Sequence, residues 1–365
     1  MAGAATARAL ARREIPVLWF ESAPTPAEHS SGRNAGLIRQ AVSDPVIAQL
    51  CREGAEALRA EGAPVTWTSS ILLDPEGSIP PDVRRAIDAK PLTPSAVTDP
   101  FPWLRDASLS GAFLTPGDGT VDAPALVERW RDDAIAAGAQ LHLGTPVSAP
   151  QIEEGRVKAI VVDGHPIEVE HLVVATGAWG ARWGKSAGVP IELQPTHRSL
   201  LIGPMPGEAK DPSKVLPWVW HLRDGWYVRP ESAGGLWSAG EELTSTLLPA
   251  PRDRDAEARL RRVGRSQLPH LDWGKLAWRS TGHRTFLPDR RFLLGEDPRL
   301  PGWHWAVGLG GHGVTSALAV GERVAAGLVE GKPIEPELRF RPAVLPDGVT
   351  PPSVASPSRS SEAVR

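Results

Sequence analysis

Hydrophobic and polar positions alternate in two different rhythms along this chain. Residues 2–13 are Ala-rich helix formers, and they lead straight into Ile15-Pro-Val-Leu-Trp-Phe20, a short apolar strand closed by the acidic Glu21. From Ser43 a second helical pattern begins. Ser43 or Asp44 can cap it, Pro45 suits the first helical position and Gly62 suits the exit. Pro and Gly interrupt residues 74–120 repeatedly, which predicts an irregular excursion. A third helix is expected from about Asp122 to Ala137, between an Asp cap and Gly138.

Beyond it the period shortens to that of strands. Residues 156–162 and 167–170 flank Asp163-Gly164, a hairpin signal, and residues 171–176 read as a buried strand ending in Ala175-Thr176-Gly177. Short strands are expected at 199–202, 215–220, 226–228 and 235–239, then a charged helix over 254–266. Strands at 278–284 and 303–307 and a helix over 313–328 complete the pattern. The Pro/Ser-rich segment 342–365 has too few apolar residues to pack and is expected to be a disordered tail. Helix–strand units at both ends thus enclose a β-rich middle, which predicts an α/β domain interrupted by a second, mainly antiparallel domain.

Composition narrows the class. With 41% hydrophobic and 23% charged residues the chain is globular, and its formal charge of -3 lacks the basic excess of a nucleic-acid or polybasic membrane binder. Cys51 is the one cysteine, which excludes an internal disulfide framework or a Cys-based zinc cluster and fits a reducing, cytoplasmic setting. No apolar run reaches the roughly 18 residues of a membrane span. Arg8, Arg12 and Arg13 break the stretch that a secretory signal would need. The histidines lack metal-ligand spacing, and no serine-hydrolase or Walker-type motif occurs, so no metal is expected. Fourteen Trp stand against a single Tyr, which singles out Tyr227.

Three stretches carry candidate chemistry. Gly3 opens an Ala-rich helix 18 positions before Glu21, the spacing of a dinucleotide-binding unit in which the acid holds the ribose; close helix packing alone would also place a glycine there. Ser30-Ser31-Gly32-Arg33-Asn34-Ala35-Gly36-Leu37-Ile38 is either an anion-contacting loop or an ordinary flexible one. Gly308-Leu-Gly-Gly-His-Gly-Val-Thr315 lies between a strand and a helix, and either aims donors and a helix dipole at a ligand or simply makes a tight turn.

Taken in order, Glu21, residues 30–38, Val173-Val-Ala-Thr-Gly-Ala-Trp179, Gly282-His-Arg284, Pro288-Asp289 and residues 308–315 resemble the D-amino-acid oxidase-like FAD oxidoreductases. That group includes glycine oxidase, monomeric sarcosine oxidase and the D-amino-acid dehydrogenases. Leu193-Gln-Pro195, Tyr227-Val-Arg-Pro230 and residues 303–321 make the chain most similar to the D-arginine dehydrogenase-type enzymes. The resemblance runs from Ala2 to Gly331.

It implies a Rossmann-like FAD-binding domain (residues 1–70, 120–185 and 275–335) interrupted by a mainly antiparallel β substrate domain (71–119 and 186–274). FAD would be bound non-covalently. Gly3 would be the third glycine of the nucleotide fingerprint, and Glu21 would hold the adenosine ribose. Ser31, Arg33 and Asn34 would lie along the pyrophosphate and flavin, with Ala175, Thr176 and Gly177 beside the adenine half. Gly310, Gly311, His312, Gly313, Val314 and Thr315 would face the N1–C2=O edge of the flavin, where charge collects on reduction. Arg284 would clamp a substrate carboxylate and Tyr227 would orient the amine, with His312 beside them in the reacting centre. His197 and Arg198 are candidates for a second polar contact. His283 stands where the family has an apolar residue. Leu37 replaces the loop histidine of the D-arginine enzymes, so their cationic specificity does not carry over. No cysteine is placed for a covalent flavin link.

The activity implied is oxidation of the C–N bond of a small D-amino acid or secondary amino acid by hydride transfer to flavin N5. Oxygen or a quinone would be the final acceptor, and the oligomeric state is open. Two alternatives remain. One is a non-catalytic flavoprotein-like scaffold or partner subunit, N-terminally truncated and unable to hold FAD. The other, a nicotinamide-dependent dehydrogenase, fits the C-terminal glycine loop less well. The first strand and first two glycines of the fingerprint are expected immediately upstream of Met1.

Overall fold

Three helices pack together, with small residues where they cross. The computed structural model describes residues 1–205, 215–232, 234–240, 243–245 and 248–346. The first helix, Ala2–Ala11, buries nearly every residue it has. The second, Pro45–Ala60, starts where the Asp44 carboxylate accepts from Val46 N and Ile47 N at 2.9 and 3.1 Å. Asp44, not Ser43, is therefore the cap. Ile47, Leu50, Cys51, Gly54 and Leu58 form its buried stripe. The C-terminal helix, Gly313–Glu330, packs on both.

Glycine permits these crossings. A Cβ at Gly321 would lie 2.6 Å from the backbone of Ala5, and one at Gly54 would overlap the carbonyl oxygen of Thr315. Ala123–Ala136, capped by Asp122 at 3.1 Å, closes the other side of the first helix. There the buried Arg8 is paired with Glu61 at 2.6 Å and Asp133 at 2.9 Å.

Two parallel pairs flank these helices: Leu18–Phe20 with Gln140–His142, and Leu172–Val174 with Trp303–Val307. Leu293–Glu296 adds an antiparallel strand to the second pair. Among the described residues, nine strands form one larger sheet, antiparallel apart from the contact of Trp218–His221 with Ser70–Leu73. Its spine is Gln194–Gly203, which pairs with Ala277–Phe286 so that Thr196 faces Arg284 and Arg198 faces Gly282. Tyr227–Glu231 lies between Gly234–Ser238 and Trp218–His221, which sets Tyr227 opposite Trp220.

The expected α/β class with a mainly antiparallel second part is what the chain adopts. The strand foreseen at 199–202 runs ten residues, Gln194–Gly203. The excursion at 74–120 is made of elements no longer than the six residues of Pro81–Ala86. Ala277–Phe286, grouped by sequence with the nucleotide-binding segments, hydrogen-bonds into the large sheet. The expected tail needs correcting at its start. Pro342–Val344 forms a turn, Val344 is fully buried, and its carbonyl accepts from Glu192 N at 2.8 Å. Two buried side chains, Val344 and Leu345, and a backbone bond hold that segment; residues 347–365 lie outside those described.

Candidate active site

A cavity with about 1170 Å³ of empty space, part of it open to solvent, lies between the helices and the large sheet. Five stretches line it: the start of the first helix, residues 30–39, the turn after Leu172–Val174, the face of the large sheet, and residues 306–315.

The 30–38 loop is held by its own side chains. Asn34 Nδ2 donates to the carbonyls of Ser30 and Ser31 at 3.2 and 2.6 Å, while its Oδ1 accepts from Gly36 N at 2.8 Å. Asn34 is thus a brace for the loop, with its polar atoms already engaged. Arg33 donates to the carbonyl of Glu28 at 2.9 Å and to its carboxylate at 3.3 Å. Ser31 Oγ accepts from the amino nitrogen of Met1 at 2.8 Å, so the loop touches the start of the first helix.

At the opposite wall the glycine loop closes over Arg284. Gly308, Gly310 and Gly311 have φ of 79°, 50° and 86°, and a Cβ at Gly311 would lie 2.8 Å from Arg284 Nε. The C-terminal helix begins here, with His312 at its cap. Thr315 Oγ1 accepts from Arg39 N at 2.9 Å, which ties this helix to the loop at 30–39.

Charge separates the two ends. Arg33, Arg39, Arg198 and Arg284 line the cavity, and no Asp or Glu does among the described residues. Arg33 is paired with Glu28, while the other three surround an aromatic pair. The Trp220 and Tyr227 rings lie 4.7 Å apart. Arg39 Cζ is 4.3 Å from the Trp220 ring, Arg198 Cζ 5.8 Å from the Tyr227 ring, and Arg284 Cζ 5.6 and 6.0 Å from the two. Burial and the charges of Arg39, Arg284 and Arg290 hold the His312 imidazole well below its usual range, so it is neutral at pH 7.

Most of the residues singled out by sequence meet here. Ser31, Arg33, Asn34, Ala175, Gly177, Tyr227, Arg284 and residues 310, 311 and 312–315 all line the cavity. Gly3, Glu21 and Thr176 do not. Gly3 instead packs on the turn, where a Cβ would sit 3.4 Å from that of Ala175. The Glu21 carboxylate accepts from Ala23 N at 3.0 Å. Thr176 Oγ1 is buried without a hydrogen-bond partner. Of the two extra candidates, Arg198 lines the cavity, whereas His197 lies outside it, 5.0 Å from the His283 ring. Sequence reading missed Arg39 and Trp220. The signal for Arg39 was its place just past the loop, beside the apolar Leu37-Ile38; for Trp220 there was only its neighbourhood to Tyr227 in the strand pattern.

The protein-family comparison matches residues 1–326 to the family described as FAD dependent oxidoreductase. Glycine oxidase of Geobacillus kaustophilus is 29% identical over 246 residues, 66% of this chain and 62% of that protein. Mouse sarcosine dehydrogenase is 24% identical over 264 residues, 68% of this chain but only 28% of the relative. The chain thus spans less than two thirds of the length of either curated relative. Among solved structures, L-proline dehydrogenase from P. horikoshii superposes with a TM-score of 0.80 at 22% identity, covering 92% of each chain. With the family model covering most of its length, the chain belongs to the FAD-dependent oxidoreductases of the D-amino-acid oxidase type.

Proposed function

We propose that this protein uses FAD to oxidise the Cα–N bond of a small D-amino acid or secondary amino acid. The observation that carries the reading is one cavity that joins two helix N-termini to a wall rich in arginine and, among the described residues, without an acid. Helix N-termini and guanidinium groups are what a pyrophosphate, a reduced flavin edge and a carboxylate each require. The residues present fit the cofactor. Ser31 and the start of the first helix at Met1 and Ala2 would hold the pyrophosphate, with Arg33 beside them and Gly3 letting the helix pack closely on the turn at Ala175. Glu21 would hold the ribose, and Ala175-Thr176-Gly177 the adenine half, where Thr176 Oγ1 still lacks a partner. Gly310–Thr315 would face the flavin.

When bound, FAD supplies a two-electron acceptor for the Cα hydrogen as hydride, so that loss of the amine proton leaves an imine for water to hydrolyse. The chain's residues do the rest. Arg284 orients the substrate through its carboxylate, and Tyr227 bounds the site on the sheet side. The amine is bound neutral, with its lone pair ready to support departure of the hydride. His312, itself neutral, leaves the helix N-terminus as the source of positive potential at the edge that would face the flavin.

The test is reconstitution with FAD followed by anaerobic mixing with glycine, sarcosine and both hands of proline and alanine. Bleaching of the flavin by at least one of them is expected. A protein that takes up FAD but is bleached by no amino acid or amine contradicts the proposal, and one that takes up none is a scaffold.

A further inference from the structure

Behind the wall that carries Arg39 and Trp220 lies a carboxyl group that does not itself line the cavity. Asp118 is fully buried in the turn between Phe113–Thr115 and Gly119–Val121. Its Oδ1 accepts from the backbone nitrogen and from Nε2 of Gln40 at 3.1 and 3.2 Å, and its Oδ2 accepts from the buried Ser70 Oγ at 2.7 Å.

Each of these partners leads to the cavity. Gln40 directly follows Arg39, whose Cζ lies 4.3 Å from the Trp220 ring. Ser70 faces Trp218 across the parallel strand pair, and that strand carries Trp220 two residues on. One carboxyl group therefore ties together the two segments that bring Arg39 and Trp220 into contact. Burial pushes it up to about 7, against the hydrogen bonds from Ser70 and Gln40 and the charge of Arg39. Besides Arg39, the titratable group facing it is the Cys51 thiol of the second helix, which burial pushes up to about 12 and so keeps neutral.

We infer that Asp118 is a positioning residue for the substrate carboxylate: through Gln40 it sets Arg39 against Trp220, and the charge it gains on losing its proton weakens the hold of the cavity on an anion. The inference rests on the amino-acid oxidation proposed above and adds a control on how tightly that substrate is held. Only the difference between the two states of Asp118 enters, so the other neighbours of Arg39 are common to both. A negative charge on Asp118 and an anion in the cavity oppose each other, whichever arrives first. Anion affinity is therefore full while Asp118 is protonated, and it falls as pH rises through about 7.

The probe is acetate, which stays ionised from about pH 6 to about pH 8 and has no amine to titrate. Its dissociation constant is measured by calorimetry on the FAD-loaded protein across that range. Wild-type affinity should fall about threefold to tenfold with rising pH, the size of one charge acting across a partly buried site. Asp118→Asn, which keeps the shape of the protonated acid, should bind acetate as tightly at the upper pH as at the lower. Ser70→Ala removes a hydrogen bond that favours the ionised form, so the fall should move to higher pH. A purely structural role would lower thermal stability in these variants and leave the pH profile in place. The same profile in wild type and Asp118→Asn, or no saturable acetate binding by the wild type, overturns the inference. Should Asp118→Asn fail to fold, an unmoved profile in Ser70→Ala overturns it alone. If no amino acid bleaches the flavin, or no FAD is taken up, the parent proposal falls, while the acetate comparison on that same protein still decides the role of Asp118.

Discussion

Replacing Gly54 by Ala sets helix propensity against packing in a way that tests how the site is built. In an open helix interior Gly→Ala stabilises by about 0.5–1 kcal/mol. Gly54 is not in the open. A Cβ there would overlap the carbonyl oxygen of Thr315 and lie 3.0 Å from Ser316 Cα, both in the backbone of the first turn of the C-terminal helix. Backbone cannot rotate aside as a side chain can, so the cost belongs at the upper end of overpacking, ~3 kcal/mol. Subtracting the propensity gain leaves a net loss of about 2 kcal/mol. Gly327, in the C-terminal helix, is the control: a Cβ there meets nothing closer than 3.5 Å, so the propensity term acts alone. In thermal unfolding at one scan rate, Gly54→Ala should lower Tm by about 2–5 °C, and Gly327→Ala should leave it unchanged or slightly higher. A rise in Tm for Gly54→Ala equal to that for Gly327→Ala would show that the crossing yields freely, and that this contact does not fix the helix end at the cavity.

The remaining predictions concern single side chains. Arg284→Ala should lose about 2–5 kcal/mol of transition-state binding on a carboxylate substrate with flavin content unchanged; wild-type kcat/KM would remove Arg284 from the site. Tyr227→Phe should weaken turnover or binding about tenfold, in line with one buried hydrogen bond of ~1–1.5 kcal/mol, whereas an effect on stability alone would make Tyr227 a core residue. Asp118 is fully buried, and burial pushes its carboxyl up to about 7 despite hydrogen bonds from Ser70 and Gln40. A raised acid binds its proton more tightly folded than unfolded. Its contribution to stability is therefore fully present below about pH 4 and is lost as pH rises to about 7. Asp118→Asn should flatten that decline, so the stability difference between variant and wild type should grow by a few kcal/mol across the interval. A difference that stays constant with pH refutes the assignment.

Local chemistry was legible in the sequence, and long-range pairing was not. Asp44, Pro45 and Asp122 announce their helices because a cap acts on residues two or three positions away. The glycine loop at 308–315 could be placed because a strand and a helix pattern bracket it. The large sheet could not be assembled the same way. It brings residues 70–73 beside 218–221, and 194–203 beside 277–286, and nothing local to either strand names its partner. Arg39 and Trp220 escaped notice for that reason: each gains its meaning only from the other, across 181 positions of chain. Gly54 escaped for a different one. Inside a helical pattern a glycine reads as a weak position, and only the crossing with the C-terminal helix shows why a side chain is excluded. Val344 and Leu345 show the opposite limit, since a segment poor in apolar residues can still order where two of its side chains are buried.

The contact at Gly54 also explains how a charged wall can be both crowded and ordered. Arg39 follows a two-residue strand, Leu37–Ile38, too short to hold a guanidinium in place by itself. Its backbone nitrogen is fixed by Thr315 Oγ1 at 2.9 Å, and the next residue, Gln40, donates its backbone N–H to Asp118 at 3.1 Å. Thr315 in turn sits where the C-terminal helix presses on Gly54. The second helix, the C-terminal helix and the strand carrying Arg39 therefore share one rigid junction, built from a glycine, a hydroxyl and a buried carboxyl. Arg39 is thus held from its backbone at Thr315, and Arg284 within a ten-residue strand, so both guanidinium groups reach the cavity from backbone that is fixed on either side of it.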